Sequence, residues 1–292
     1  MKFMKYKWWY FAISLVIVIP GVVSLILFGL KPAIDFTGGT LLEIQTSASK
    51  DKILEIGKAQ NLSISSVQTS GDSVYLLRMK PIDKDQNEKF KDKLASASGQ
   101  LKELRFETVG PVVGKELTQK AILAVVVASL AIIAYIAWSF RHVPKPYSSW
   151  KFGVSAVIAL IHDALVVLGI FSILGYLYGV EVDALFVTAI LTVIGFSVHD
   201  TIVVFDRVRD NLPKLPKEPF GDVVDFSLAE TLVRSLNTSL TVILTLVALL
   251  LFGGESTRWF IVALLVGIVS GTYSSIFNAA PLLVLWESRK GK

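Results

Sequence analysis

The chain has 292 residues, of which 53% are hydrophobic and only 18% charged, and it contains no cysteine. That balance reads as a membrane protein, and the missing thiols exclude disulfides, thiolate metal sites and cysteine nucleophiles. The net charge of +5 does not point to nucleic acid, because Lys2, Lys5, Lys7, Arg141, Lys145, Lys151, Arg289, Lys290 and Lys292 all flank apolar segments, where basic residues set orientation.

Six segments reach the roughly 20 apolar residues that a helical bilayer crossing needs: Trp8–Leu30, Ala121–Phe140, Phe152–Tyr178, Ala184–Phe205, Ser235–Phe252 and Trp259–Leu285. Trp8, Trp9, Trp138, Trp150, Trp259 and Trp286 fall near their ends, as interfacial aromatics do. An N-terminus in the cytoplasm puts the basic loops Arg141–Lys151 and Asp206–Arg234 and the C-terminus on that side. The short loops around Glu181–Asp183 and Gly253–Glu255 then face outward. The first apolar run is longer than a signal-peptide core and no A-x-A site follows it, so it is expected to stay as an anchor.

Lys31–Thr118 is a polar insert between the first two spans, with 13 basic and 12 acidic residues; so even a balance suits a folded module better than a charged tail. Alternation and helical spacing predict strands at Thr40–Thr46, Leu62–Val67, Val74–Met79 and Glu103–Thr108, with a turn at Ser70-Gly71-Asp72. Helices are predicted at Asp51–Gln60, with Ile53, Leu54 and Ile56 inward, and Gln86–Ala97, with Phe90, Leu94 and Ala97 inward. In the last strand Leu104 and Phe106 are predicted inward. The order β-α-β-β-α-β is the ferredoxin-like pattern. The expected fold is therefore a multispan α-helical membrane protein of six transmembrane helices, with one small α+β ferredoxin-like extracytoplasmic domain between helices 1 and 2. The expected divisions are 1–30, 31–118 and 119–292.

Two glycine motifs bracket the module: Asp35-Phe36-Thr37-Gly38-Gly39-Thr40 and Val109-Gly110-Pro111-Val112-Val113-Gly114. Asp35, Gly38, Gly39, Gly110 and Pro111 are candidate hinge or domain-junction residues, since glycine admits positive φ and close backbone approach. Ordinary turn chemistry at a boundary is the alternative.

The fourth apolar run ends in GFSVHDTIVVFDRVRDN (Gly195–Asn211). Asp200 stands six residues before Asp206, about 9 Å inside the charged boundary, and membrane acids usually line a polar path. Ser227-Leu-Ala-Glu230 has capping-box spacing. With Ser227 as the cap, Arg234 comes to the depth of Asp200 on the next helix and pairs with it, as a working pair or a static one. Arg234, Thr238, Thr241 and Thr245 make one polar stripe, and Gly267, Gly271, Ser274 and Asn278 make another suited to helix packing. Asp163 is a third membrane acid. Asp163 and Asp200 each follow a histidine, His162 and His199, which can relay protons. No spacing fixes a metal site, and no nucleophile elbow indicates a hydrolase.

These motifs resemble the SecF family of the bacterial Sec translocon. DFTGGT, VGPVVGKEL and GFSVHDTIVVFDRVRDN carry the resemblance, with RSLNTSLT (Arg234–Thr241) and GTYSSIF (Gly271–Phe277) adding to it, over essentially the whole chain. It implies an RND-type six-span half in the bacterial plasma membrane that pairs with SecD. The partners it implies are the SecYEG channel, YajC and YidC, and an unfolded preprotein. The proton motive force would drive late export with H⁺ as the coupling ion, Na⁺ being possible, and with no other cofactor and no covalent catalysis. By position, Asp200 matches the family's proton-passage acid and Arg234 its membrane arginine; His199 and Asp163 complete the candidate proton pathway. A small-molecule exporter half of the same superfamily, or a passive scaffold, are the rival readings.

Overall fold

The computed structural model describes residues 2–69 and 73–288. The turn expected at Ser70-Gly71-Asp72, and the basic residues Arg289, Lys290 and Lys292, lie outside the described residues. In chain order the elements are α1 (Lys7–Phe28), a helical turn at Ile34–Thr37, β1 (Gly39–Thr46), α2 (Lys50–Ala59), β2 (Ile64–Thr69), β3 (Val74–Met79), α3 (Lys84–Ser98), β4 (Leu101–Val109), α4 (Pro111–Ser139), α5 (Ser149–Tyr178), α6 (Ala184–Asn211), α7 (Phe220–Phe252) and α8 (Arg258–Ser274). A π-helical stretch, Ser275–Ala279, joins α8 to α9 (Ala280–Ser288). The chain divides into two compact units, Met1–Lys31 with Leu123–Lys292, and Pro32–Ile122.

Within Pro32–Ile122 the four strands form one antiparallel sheet in the order β2-β3-β1-β4. Period-two alternation puts Leu42, Ile44 and Leu77 on one face, where Ile53 of α2 and Phe90 and Leu94 of α3 bury them completely. Both helices start on side-chain caps. Ser49 accepts from the Lys52 amide, and Asp83 and Gln86 close a reciprocal capping box. Two of the expected inward residues point elsewhere. Ala97 is exposed at the last turn of α3, where the neighbouring Ser98 takes the inward position and bonds Thr46 of β1 at 3.0 Å. Leu104 is 44% exposed because the register shifts opposite Glu43 and Ile44, which pair with Arg105 and Glu103. That bulge leaves Leu104 as the extra residue and turns Glu103 toward α3. There Lys91 Nζ lies 2.7 Å away and Asn87 Nδ2 2.9 Å. Burial works against the Glu103 charge, yet these two partners outweigh it and hold the carboxyl below its usual value.

The two glycine motifs meet inside this unit. Gly38 and Gly39 have φ of +72° and +134°, which side chains rarely adopt. A Cβ on Gly38 would stand 2.9 Å from Pro111 Cα, and one on Gly114 would stand 2.8 Å from Gly38 N. Pro111 opens α4 at the first helical position, where its missing N–H costs nothing. Thr118 Oγ1 lies 3.3 Å from the Phe36 carbonyl, which can accept its proton.

Among the described residues, six helical segments are long and apolar enough to cross a membrane: Phe3–Phe28, Pro111–Ser139, Ser149–Tyr178, Ala184–Asn211, Phe220–Phe252 and Arg258–Glu287. Several extend well past the expected apolar runs. α4 begins at Pro111, not Ala121; α6 continues through the charged cluster to Asn211; α7 begins at Phe220, not Ser235. Hydropathy marks where a helix is greasy, whereas its ends follow backbone hydrogen bonding into polar surroundings. In the helical unit α5, α6 and α8 form the buried centre, with Phe152, Phe171, Ala189, Val193, Phe205 and Ala263 packed together. α1 lies against α5, where a Cβ on Gly21 would stand 2.9 Å from Gly169 Cα. α4 and α7 leave rows of large apolar side chains uncovered, among them Ile122, Leu130, Leu240, Leu244 and Leu251.

Candidate membrane acid site

The packing of α6 on α8 sets the site. Gly267 faces Val193 and Gly271 faces Ser197; a Cβ on Gly271 would lie 3.1 Å from Ser197 Cβ. Small residues here let two polar helix faces approach closely. Ser274 and Asn278 continue this inward face, both buried.

Asp163 on α5 is fully buried. Its Oδ1 accepts from Ser270 Oγ at 2.7 Å and lies 3.0 Å from His162 Nδ1. Its Oδ2 accepts from Ser197 Oγ at 2.5 Å and Ser274 Oγ at 2.6 Å. Hydroxyls from α6 and α8 thus close around a carboxylate from α5. Sequence spacing did not reveal this cage, because its members come from three helices. The signal available was the serine pair at i, i+4 on the last span, Ser270 and Ser274.

Asp200 on α6 is also buried, and its Oδ2 has no hydrogen-bond partner. The hydroxyls of Ser239 on α7 and Thr272 on α8 face its carboxyl group. The same two hydroxyls also reach other oxygens: Ser239 Oγ lies 2.9 Å from the Ser235 carbonyl, and Thr272 Oγ1 lies 2.6 Å from Ser239 Oγ and 2.9 Å from the Ile268 carbonyl. Each has a single proton to share between the carboxyl group and these acceptors. Ser235 Oγ is buried without a partner as well.

The expected pairing of Asp200 with Arg234 is not present. Among the described residues neither makes an ion pair with the other, and Arg234 is exposed. The reason is helix phase. Ser227 is not the cap of the fifth span: α7 starts a full two turns earlier, and Ser227 is buried inside it, donating to the Val223 carbonyl. The inward face of α7 therefore runs Ser227, Thr231, Ser235, Ser239, and Arg234 lies about 100° away from Ser235. The whole stripe Arg234, Thr238, Thr241 and Thr245 is exposed. Its threonines donate back to carbonyls of their own helix: Thr238 to Arg234, Thr241 to Asn237, and Thr245 to Thr241. His199 is likewise exposed, next to Asp200 along α6 but about 100° around the helix from it.

Near the Asp206 end of α6 a cavity of about 270 Å³ is lined by Val203, Asp206, Arg207, Asp210, Glu230, Thr231 and Arg234. Arg207 holds Glu230 in a two-pronged contact with both distances 2.7 Å, and Arg209 pairs with Asp206. Glu230 thus serves Arg207 and Asn211 in place of the expected capping box. Arg234 enters this cavity as a cation without an ion-pair partner among the described residues.

Residues 89–289 match the family described as "Protein export membrane protein SecD/SecF, C-terminal", and residues 23–50 match the "SecD/SecF GG Motif". The chain is 47% identical over 301 residues to the protein translocase subunit SecF of Thermobaculum terrenum, covering 98% of this chain and 93% of that protein. It is 35% identical to the protein translocase subunit SecDF of Bacillus subtilis, over 97% of this chain and 38% of that one. A crystal structure of SecDF from Thermus, titled a translocon-associated membrane protein, superposes with a TM-score of 0.85 at 31% identity, across 99% of this chain and 39% of that chain. The chain thus spans well under half of those SecDF relatives. It is a multi-pass membrane protein, and it belongs to the SecF branch of the SecD/SecF protein-export family.

Proposed function

We propose that the chain is the SecF subunit of a Sec translocase accessory complex, coupling the proton motive force to late steps of preprotein export through SecYEG. The observation that carries this reading is Asp200: a buried acid with an oxygen that has no partner among the described residues, beside the hydroxyls of Ser239 and Thr272, in a chain resembling SecF translocase subunits over 98% of its length. Such an acid binds H⁺, with Na⁺ as the alternative ion, and moving one charge through 100 mV is worth about 2.3 kcal/mol. No covalent step is needed.

The relatives named SecDF support SecD as the partner. The exposed polar stripe of α7 is the face we assign to it: Arg234 makes no ion pair among the described residues, which leaves it available to an acid of SecD. YajC and YidC are further partners in this reading, and the unfolded preprotein is the substrate. The termini lie in the cytoplasm, by the distribution of basic loops. Residues 31–118 form an extracytoplasmic ferredoxin-like domain, a reading supported by the sheet order β2-β3-β1-β4 with both helices on one face. Asp35, Gly38, Gly39, Gly110 and Pro111 form its junction with the spans.

The test is export from inverted membrane vesicles depleted of the native protein and resupplied with this chain and SecD. Wild type restores gradient-dependent completion of preprotein transit. Asp200→Asn restores none of it while assembling normally with SecD; full restoration by that variant contradicts the proposal.

A further inference from the structure

The inward face of α7 carries hydroxyls four residues apart, at Thr231, Ser235 and Ser239, all buried. Each step is one turn, about 6 Å along the axis. The row has a defined beginning and end. Thr231 lines the cavity at the Asp206 end of α6, and the Ser239 hydroxyl faces the Asp200 carboxyl group. α6 runs antiparallel beside the row, with Arg207 bonded to Glu230 and Asn211 bonded to Ser227. Val203 lines the same cavity and lies three residues from Asp200, about 4.5 Å along α6. A turn or two of helix therefore separates the cavity from the acid. Within α6 and α7, the buried side-chain polar atoms without a hydrogen-bond partner among the described residues are Asp200 Oδ2 and Ser235 Oγ. Thr231 donates to the Ser227 carbonyl at 3.0 Å and Ser239 to the Ser235 carbonyl at 2.9 Å. Ser235 alone in the row has a hydroxyl that serves no protein group. Burying a hydroxyl in that state is unfavourable, and buried polar atoms of this kind are commonly bridged by water.

We infer that Thr231, Ser235 and Ser239 form the inner half of the ion route, with Ser235 holding the water that joins Asp200 to the cavity. This rests on Asp200 being the loading site. The carboxylic acid gives its proton to the water on Ser235 and is left as a carboxylate; the hydronium so formed passes a proton to water in the cavity. The charged walls of that cavity, Asp206, Arg207, Asp210, Glu230 and Arg234, keep its mouth wet. The competing role for the row is close packing of small residues, which an alanine at Ser235 would fill equally well.

The chain has no cysteine, so single cysteines report access to water in complexes with a cysteine-free SecD. Inverted membrane vesicles turn the Asp206 end of α6 to the medium in the proposed orientation. There a small water-soluble methanethiosulfonate should modify Thr231→Cys and Ser235→Cys but not Leu240→Cys, whose side chain lies on the outside of α7. Modification at Ser235→Cys should stop proton flux. Without reagent, Ser235→Ala should lower flux about five- to tenfold, as the loss of one hydrogen bond does. If Ser235→Cys stays unmodified, or Ser235→Ala conducts at the wild-type rate, the row is packing and not a route. If Ser235→Cys is modified and Ser235→Ala is impaired while Asp200→Asn conducts like wild type, the route stands and the reading of Asp200 as its loading acid fails.

Discussion

Two acids in the same bundle differ in how fully their oxygens are partnered. Asp163 accepts from Ser197, Ser270 and Ser274, whereas one oxygen of Asp200 has no partner among the described residues. Partners decide the behaviour of an acid in the sheet unit too. The Glu103 carboxyl is held below the usual value of 4.5 by Lys91 and Asn87 against the cost of burial. Its contribution to stability is therefore complete above that value, and is lost as pH falls through the lower, folded-state value. Protection factors of the β1 and β4 amides, corrected for the intrinsic exchange rate, should fall below pH about 4.5 in wild type, and Glu103→Gln should flatten that dependence. In the same unit Phe90→Ala should cost about 3–5 kcal/mol, read as loss of protection across β1 and β3, because Phe90 is fully enclosed. An exposed change such as Ala97→Ser should leave protection within about 0.5 kcal/mol of wild type.

At the scale of elements, α7 separates two polar faces only one residue apart. Ser235 and Ser239 turn into the bundle, while Arg234 and Thr238 turn out. With the outward face set against SecD, a cysteine at Thr238 should cross-link to SecD in membranes, and one at Ser239 should not. The reverse pattern would put the helix in the orientation that sequence spacing suggested. That spacing located the membrane acid, the arginine, the six apolar helices and the order of strands, since each leaves a local periodic signal. It could not fix the phase of α7, which depends on tertiary packing: Asn211 of α6 bonds Ser227 and Glu230, and Ser227, Thr231, Ser235 and Ser239 are the residues buried in the bundle. Nor could it see the bulge that exposes Leu104, which is a property of two strands, or the cage around Asp163, which is a property of three helices. The glycine motifs were visible as motifs. That Gly38 and Gly114 nearly touch required the fold. A bulky replacement at Gly114 should therefore disturb the sheet unit from within α4, with Gly114→Val lowering its stability by more than 1 kcal/mol in urea.

At the scale of the molecule, the helical unit is unfinished on two sides. Its centre is close-packed, yet α4 and α7 carry uncovered apolar rows, and α7 adds an uncovered arginine. Lipid covers the first kind of surface; a partner with a carboxylate suits the second. The relatives in which SecF-like sequence occupies 38–39% of a SecDF chain have the partner within the same polypeptide. The most direct measurement is pH-dye flux across vesicles containing this chain with SecD and an unfolded preprotein, comparing wild type with Asp200→Asn. Inward proton flux that depends on preprotein in wild type and vanishes in the variant is the predicted result. Equal flux in both would mean that Asp200 does not load the ion.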